Sequence, residues 1–378
     1  MPSTALRNST LTAARRIVVK VGTQLLTTAQ GEAAGLDTAF IANLADQIAT
    51  LTQQGYEITF VSSGAVGAGC AELGLEERPT DLAALQAVAA IGQRGLMAQM
   101  NEAFGKHGLT VGQVLLTRGD FEDRNRFLNI RNCVNHLHEL GVIPILNEND
   151  SVAVDEIRFG DNDLLAALMC NALQAEALVL LTVVDGLLDH DGQLIDLVDN
   201  VNDFLGLARR GAQSKSTWGS GGMLTKLDAA KRVTDAGEIA VIASGREPQV
   251  LTRLLAGEKL GTVVVPAERK LDARSRWIGL TKRPAGTLAI DEGAVRALTE
   301  RGKSLLATGI TQITGRFEAG DVVLVRDASG HEIAQGLTNY GSEELRQIMG
   351  KRSSDFAETL GHATYAEIVH RDNLVLMK

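Results

Sequence analysis

Short apolar runs and longer amphipathic stretches alternate along the first two thirds of the chain. "RIVVKV" (16–21) is β-branched and nearly continuous, as a strand buried on both faces is. "DTAFIANLADQIATLTQQG" (37–55) instead repeats its apolar positions every three or four residues, begins at a capping Asp37 and stops at Gly55. The same reading predicts strands at "YEITFV", "LTVGQVLLT", "VIPILN", "ALVLLT" and "EIAVIA". It predicts helices over "DLAALQAVAAIGQRGLMAQMNEAFGKHG", "RFLNIRNCVNHLHELG", "DLLAALMCNAL", "GMLTKLDAAKRVTDAG" and "PQVLTRLLAG", with "SSGAVGAG" read as a glycine loop. Short apolar strands separated by amphipathic helices mean a parallel sheet covered on both faces, an α/β domain. Near Arg269 the pattern changes: "ERKLDARSRWIGLTKRPAG" is charged and poor in apolar residues, a connection between folding units, and short strands with turn signals follow it.

At 378 residues the chain is too long for one core, which agrees with two domains. Residues from Ala267 on hold 16 Lys+Arg against 15 Asp+Glu; of the chain's 37 and 46, the first 266 residues therefore hold 21 and 31, a balance of −10 that the tail's +1 brings to the chain's −9. Bulk charge gives nucleic-acid binding no help. Cys70, Cys133 and Cys170 are three, far apart and without a C-x-x-C, which argues against a disulfide framework or a zinc knuckle and fits a reducing cytoplasm. No apolar run reaches membrane-spanning length, and the Ser/Thr-rich first fourteen residues have no apolar signal core; they read as a frayed terminus.

One residue disturbs the first strand. A buried strand seldom carries an unpaired ammonium, because desolvating the charge costs more than packing its stem returns, so Lys20 needs a partner from elsewhere. In open parallel sheets ligands collect beyond the carboxyl ends of the strands. Four such ends carry unusual polar sequence, "VKVGT", "VSSGAVGAG", "LNENDS" and "LLTVVDG", all expected on one edge of the sheet. Glycines after a strand let backbone N–H groups approach an anion, and a helix N-terminus adds partial positive charge. "SSGAVGAG", with Gly64, Gly67 and Gly69, suits this, as does "WGSGGMLTK", with Gly219, Gly221 and Gly222 opening a helix that carries Lys226 one turn in. Two anion cradles and two lysines point to a polyphosphate.

The acids lie in "NENDSVAVDEIRFGDNDLLAAL". A helix cap accounts for one of them, Asp161; Asp150 and Asp163 remain, to hold lysine ammonium groups, help place Mg²⁺ or bind a cationic part of a substrate. Two near-motifs are set aside. Gly302-Lys303-Ser304 ends like a Walker A motif, but position 297 is Ala and no strand leads in; "GAVGAG" has the glycine order G-x-x-G-x-G, not the dinucleotide fingerprint. His136 and His138 lack the i, i+4 spacing with an acid that a zinc helix shows.

Together, "VVKVGTQLLT", "VSSGAVGAG", "VGQVLLTRGDFEDRNRFLN", "PILNENDSVAVDEIRFGDND" and "GSGGMLTKLDAA" resemble the amino acid kinase family, in order from about Lys20 to Pro266, and the tail from about Trp277 resembles a PUA domain. The resemblance implies an α/β; three-layer α/β/α sandwich with a mainly parallel sheet, the amino acid kinase fold, over 1–266. It also implies a linker over 267–276 and a small β-rich PUA domain over 277–378. The implied activity is transfer of the ATP γ-phosphoryl to the side-chain carboxylate of L-glutamate with Mg²⁺, the first step of proline biosynthesis. Family members acting on acetylglutamate, aspartate, carbamate or UMP are the nearest alternatives. Carried over by position, Lys20 and Lys226 neutralise the transferring phosphoryl group and Asp163 orients both; Ser63, Asp150 and Asn162 hold glutamate, the acid meeting its α-ammonium. Thr182 and Val183, with Ser220, Gly221, Gly222, Met223, Leu224, Thr225 and Lys226, line the ATP site. No metal ligands are assigned. Val183 stands where the family usually has an aspartate, with Asp185 nearby, and Leu188 replaces a frequent tyrosine. Proline as feedback inhibitor, a dimer or tetramer and a cytoplasmic location are likewise implied. PUA domains commonly serve RNA partners, and the near-neutral tail weighs against tight non-specific RNA binding.

Overall fold

The chain divides into two compact units, Met1–Lys270 and Leu271–Lys378, in a computed structural model that describes residues 11–28, 35–153, 162–189, 191–204, 222–266, 273–361 and 365–377. In the first unit β1 (Arg16–Val21) leads to α1 (Thr38–Gln53), β2 (Glu57–Val61), α2 (Ala65–Glu72), α3 (Leu82–Gly105), β3 (Val111–Leu116) and α4 (Arg124–Glu139). Then come β4 (Ile143–Glu148), α5 (Asn162–Leu173), β5 (Ala177–Thr182), β6 (Leu197–Val198), α6 (Met223–Asp235), β7 (Ile239–Ser244), α7 (Val250–Leu255) and β8 (Thr262–Val264). Caps form where short acceptors precede apolar periodicity: Asp37 accepts from the Phe40 N–H, Asp81 from Ala84 and Asp123 from Asn125 and Arg126.

The sheet has the order β3-β4-β2-β1-β5-β7-β8-β6. Every pair from β3 to β7 is parallel, whereas β8 runs antiparallel to β7, with Val263 opposite Val241. The chain builds β2 to β4 on one side of β1 and β5 onward on the other. Connections therefore leave the middle of the sheet in opposite directions, the situation that opens a crevice at strand carboxyl ends. Strand alternation sorts β1 between two layers. Ile17, Val19 and Val21 join one cluster with Ile41 and Leu44 of α1, Met100 and Phe104 of α3 and Leu251 and Leu254 of α7. Each such side chain, fully buried, contributes about 1.5–3 kcal/mol, so the patterning strongly determines which face each element covers. Lys20 falls on the other face, the one where α5 packs on β1 and α6 packs on α5.

Two local expectations are corrected. Periodicity does not reveal β6 and β8, because two and three residues are too few to show a period. And the glycine loop is shorter than expected, since Gly67 and Gly69 are helical residues of α2 and only Ser62 to Gly64 connect strand to helix. Gly64 sits at φ +98°, where an L side chain is strained. Gly69 has a different reason: a Cβ there would lie 2.0 Å from the Val88 carbonyl oxygen, and one on Gly92 would lie 1.9 Å from that of Ala65. These glycines let α2 and α3 touch backbone to backbone, and α3 stays one unbroken helix through Gly92 and Gly95.

In the second unit, 273–276 form a helical turn running into a π-helix at Trp277–Thr281; the rest of the expected linker, 267–272, lies outside the described residues. Its five-stranded sheet has the order β10-β9-β11-β12-β13, from β9 (Gly286–Ile290), β10 (Ile310–Gly315), β11 (Val322–Arg326), β12 (Glu332–Leu337) and β13 (Leu374–Leu376). Leu288, Ile290, Val323 and Val325 pack with Leu298, Leu345 and Phe356 from its helices. Among the described residues no helix is long and apolar enough to cross a membrane.

Candidate active site

The four strand ends singled out by their polar sequence belong to β4, β2, β1 and β5, which are neighbours in that order and all parallel, so the ends line one edge. Register sets Lys20 beside Val61 on one side and Leu180 on the other, one residue before β1 ends. Asp163, second residue of α5, and Lys226, in the first turn of α6, come from the two helices covering that face. Lys20 Nζ lies 2.6 Å from Asp163 Oδ1, and Lys226 Nζ lies 3.2 Å from Oδ2. The Thr225 hydroxyl stands 2.8 Å from the same Oδ2 and 2.9 Å from the Gly222 carbonyl, its one proton shared between them. That arrangement answers the requirement set by Lys20.

All three charges are buried: Lys20 and Lys226 are 5% exposed and Asp163 is 1%. Burial alone would push the Asp163 carboxyl up. The charges of Lys20 and Lys226, with hydrogen bonds from Lys20 and Thr225, outweigh it and hold the group well below the usual carboxylate range. A depressed value contributes stability above the unfolded pKa that is lost only as pH falls through the folded one, so Asp163 stays ionised at neutral pH. Among the described residues, two buried ammonium groups converge on this one carboxylate, within 2.6 and 3.2 Å. Such a site attracts an anion.

Beside the triad, amides replace charges. Asn162 Nδ2 stands 2.9 Å from the Ser62 carbonyl, 3.1 Å from Ser63 Oγ and 2.9 Å from Asn147 Oδ1, two hydrogens serving three acceptors. Asn147 Oδ1 also accepts from the Glu148 N–H at 2.8 Å, and its Nδ2 donates to Gln93 Oε1 at 2.7 Å. Beyond β4, the Asn149 N–H donates to the Leu116 carbonyl and the Gln86 amide to the Ala153 carbonyl, which seats the turn carrying Asp150 against β3 and α3. Burial pushes the Asp150 carboxyl up to about 6, against the opposing charge of Arg78. An acid poised this way gains from any cation delivered to it.

On the other flank Thr182 ends β5, its carbonyl accepting from the Gly245 N–H, and Val183 packs partly buried against the main apolar cluster. Asp185 and Leu188 are exposed. Gly222 caps α6 and, being glycine, offers no side chain to the first N–H groups at Met223 and Leu224, beside Thr225 and Lys226. Ser220 and Gly221, like Asp161, lie outside the described residues. No cluster of three His, Cys, Asp or Glu able to hold a metal occurs among the described residues. His138 instead bonds Thr59 at 2.9 Å and His136 pairs with the exposed Glu139.

The sequence pattern thus brings together Lys20, Asp163 and Lys226 as one group and Ser63 with Asn162 as another. It missed Gln93 and Arg78. The available sign for Gln93 was a polar side chain next to Gly92, in a helix that is otherwise apolar on its packed face.

Residues 15–243 match the Amino acid kinase family and 286–360 the PUA domain. The chain is 47% identical over 368 residues to the glutamate 5-kinase of Chromohalobacter salexigens, an alignment covering 96% of each chain. It is 44% identical over 376 residues to the glutamate 5-kinase of Geobacter sp., covering 98% of this chain and 100% of the relative. Among solved structures it is similar to carbamate kinase from Giardia lamblia bound to AMP-PNP, at 18% identity and a TM-score of 0.48, over 68% of this chain and 100% of that one.

Proposed function

The chain belongs to the amino acid kinase family, and from that premise we propose that it transfers the γ-phosphoryl group of ATP to the side-chain carboxylate of L-glutamate, the step that opens proline biosynthesis. One observation carries the mechanism: Lys20 and Lys226, 206 positions apart in sequence, converge on the same buried carboxylate and set two ammonium groups at the sheet edge.

A glutamate side chain has a pKa of about 4.3, so at neutral pH it is already the nucleophile and needs no general base. The difficulty is bringing one anion up to another. A carboxylate oxygen attacks the γ-phosphorus, the bond to the bridging oxygen breaks, and ADP leaves with the negative charge. In-line transfer of this kind is accelerated by positioning and by cations placed where charge gathers. Lys20 and Lys226 supply those cations, and Asp163 positions both ammonium groups. Ser63 and Asn162 hold the acceptor, with Asp150 meeting its α-ammonium. Thr182, Val183 and the run Ser220 to Lys226 line the nucleotide, where the glycine-capped start of α6 suits phosphate oxygens.

Mg²⁺ fits this donor set as a companion of the nucleotide. It keeps several waters and binds largely through substrate phosphates, and Asp163 is already engaged by two lysines; when bound it would shield phosphate charge. The same proposal takes the catalytic domain as 1–266, the linker as 267–276 and the PUA domain as 277–378, with cytoplasmic assembly as a dimer or tetramer inhibited by proline. Support for these finer points is the family resemblance.

The test is direct. With ATP, Mg²⁺ and hydroxylamine, glutamate is expected to yield a hydroxamate, and ADP release over N-acetylglutamate, aspartate, carbamate and UMP is expected to favour glutamate. Absence of hydroxamate from glutamate overturns the reading.

Asp150 adds a pH signature. Its carboxyl, raised from 3.8 to about 6, must be ionised to hold the α-ammonium. Below pH 6 kcat/KM for glutamate is expected to fall about tenfold per unit, through KM, while KM for ATP stays flat. The raised value also carries a stability cost, absent below pH 3.8 and present in full above 6. Asp150→Asn is therefore expected to raise stability of the ligand-free protein at pH 8 by on the order of 1–2 kcal/mol while weakening glutamate binding. A KM profile unchanged between pH 7 and 5 contradicts the assignment.

A further inference from the structure

The amide chain beside the triad has only one consistent orientation. A backbone N–H can only donate, so the Glu148 N–H fixes Asn147 with Oδ1 toward it, and the Asn147 Nδ2 then faces Gln93. The Gln93 atom receiving it at 2.7 Å must be Oε1. At the other end a carbonyl oxygen can only accept, so the Ser62 carbonyl and Asn147 Oδ1 together turn Asn162 Nδ2 toward them. The chain Gln93, Asn147, Asn162 therefore ends in two set atoms: a donor, Gln93 Nε2, and an acceptor, Asn162 Oδ1. Both are buried, and neither has a hydrogen-bond partner among the described residues. Buried polar atoms are ordinarily paired, so a donor and an acceptor left over on one network call for a ligand that brings the opposite of each.

An α-amino acid does that. Its ammonium needs acceptors and its carboxylate needs donors, and if its side-chain carboxylate faces Lys20 and Lys226, the α-carboxylate is the group still lacking a donor. Resting on the reading that glutamate is the acceptor, we propose that Gln93 is a specificity-determining residue, its Nε2 donating to the α-carboxylate while Asn162 Oδ1 accepts from the α-ammonium beside Asp150. Packing explains how a mid-helix residue reaches the strand ends. The backbone contact of Gly92 with Ala65 presses α3 against the first residue of α2, two positions after Ser63, and Gln93 follows Gly92 directly.

The experiment compares wild type with Gln93→Glu at pH 8. Glutamate at this position keeps an oxygen to accept from Asn147, so the orientation of the network survives, but its ionised carboxyl has nothing to donate. Loss of a charge-assisted hydrogen bond predicts a rise in KM for glutamate of about 10- to 100-fold, with kcat and KM for ATP changed less than about threefold. The competing ligand 4-aminobutyrate, which is glutamate without the α-carboxylate, reads the interaction separately. Its inhibition constant is expected to move less than about threefold in Q93E, so selectivity for glutamate over 4-aminobutyrate narrows. An unchanged KM for glutamate overturns the proposal, as it would if Arg78, the cation whose charge bears on Asp150, held the α-carboxylate instead. An equal loss toward both ligands also overturns it, because a merely structural disturbance would act that way. Wild type inert toward glutamate defeats the underlying reading and this one together; an active wild type matched by Q93E defeats only this one.

Discussion

Lys226→Met is expected to lower kcat by about 10²- to 10³-fold while leaving the ligand-free protein as stable as wild type. The two halves of that expectation have one cause. Methionine reproduces most of the buried lysine stem, so the packing of α6 against α5 changes little. Removing the ammonium leaves Lys20 paired with Asp163 at 2.6 Å and takes one buried charge, with its desolvation cost, out of the folded protein. During transfer, however, negative charge gathers on the γ-phosphoryl oxygens in a site with little water, and one of its two cations is gone. KM for glutamate is expected to move little, because the acceptor groups Ser63, Asn162 and Asp150 hang on other elements. Steady-state kinetics with thermal melting checks both halves. A kcat within tenfold of wild type contradicts a role at the transferring group.

How much of this was legible beforehand depended on the physical scale of each feature. Strands such as "RIVVKV" and helices such as "DTAFIANLADQIATLTQ" extend over enough residues for the period to show, and a parallel order forces their carboxyl ends to one edge. Lys20 could be singled out because a charge in a buried strand violates desolvation; its partner could be guessed among nearby acids. The glycines of "GAVGAG" were misread because one residue type serves two needs. An anion loop wants glycine for backbone approach to a ligand, and α2 wants it for backbone approach to α3, where the Val88 carbonyl would meet a Cβ on Gly69 at 2.0 Å. Local sequence does not distinguish these. Gln93 shows in the sequence only as a polar residue next to Gly92, for a related reason: its place rests on a hydrogen bond to Asn147, 54 residues away, and on a helix contact that no periodicity encodes.

Asp163→Asn is expected to lose turnover as Lys226→Met does and, unlike it, to lose stability as well. The carboxylate is the group on which both lysines, each 5% exposed, converge, and neutralising it takes away a negative charge within 3.2 Å of each ammonium. Removing one partner of a buried ion pair typically costs about 3–5 kcal/mol, which in a unit of this size lowers Tm by roughly 10 °C. The variant should also acquire a further pH dependence of its own. One lysine must shed its proton to relieve the repulsion, so its folded pKa falls below the unfolded value of about 10.4. Between the two values the unfolded chain binds more protons, so stability of the variant rises with pH relative to wild type, in which Asp163 stays ionised throughout that range. A polyvalent anion offers a second route to relief. Inorganic triphosphate should raise Tm of Asp163→Asn more than that of wild type, since it supplies negative charge to a site short of it. Melting curves from pH 6 to 10, with and without triphosphate, decide the matter: a variant as stable as wild type, with a flat profile and no extra response to the anion, would show that the two lysines do not depend on Asp163 or on one another.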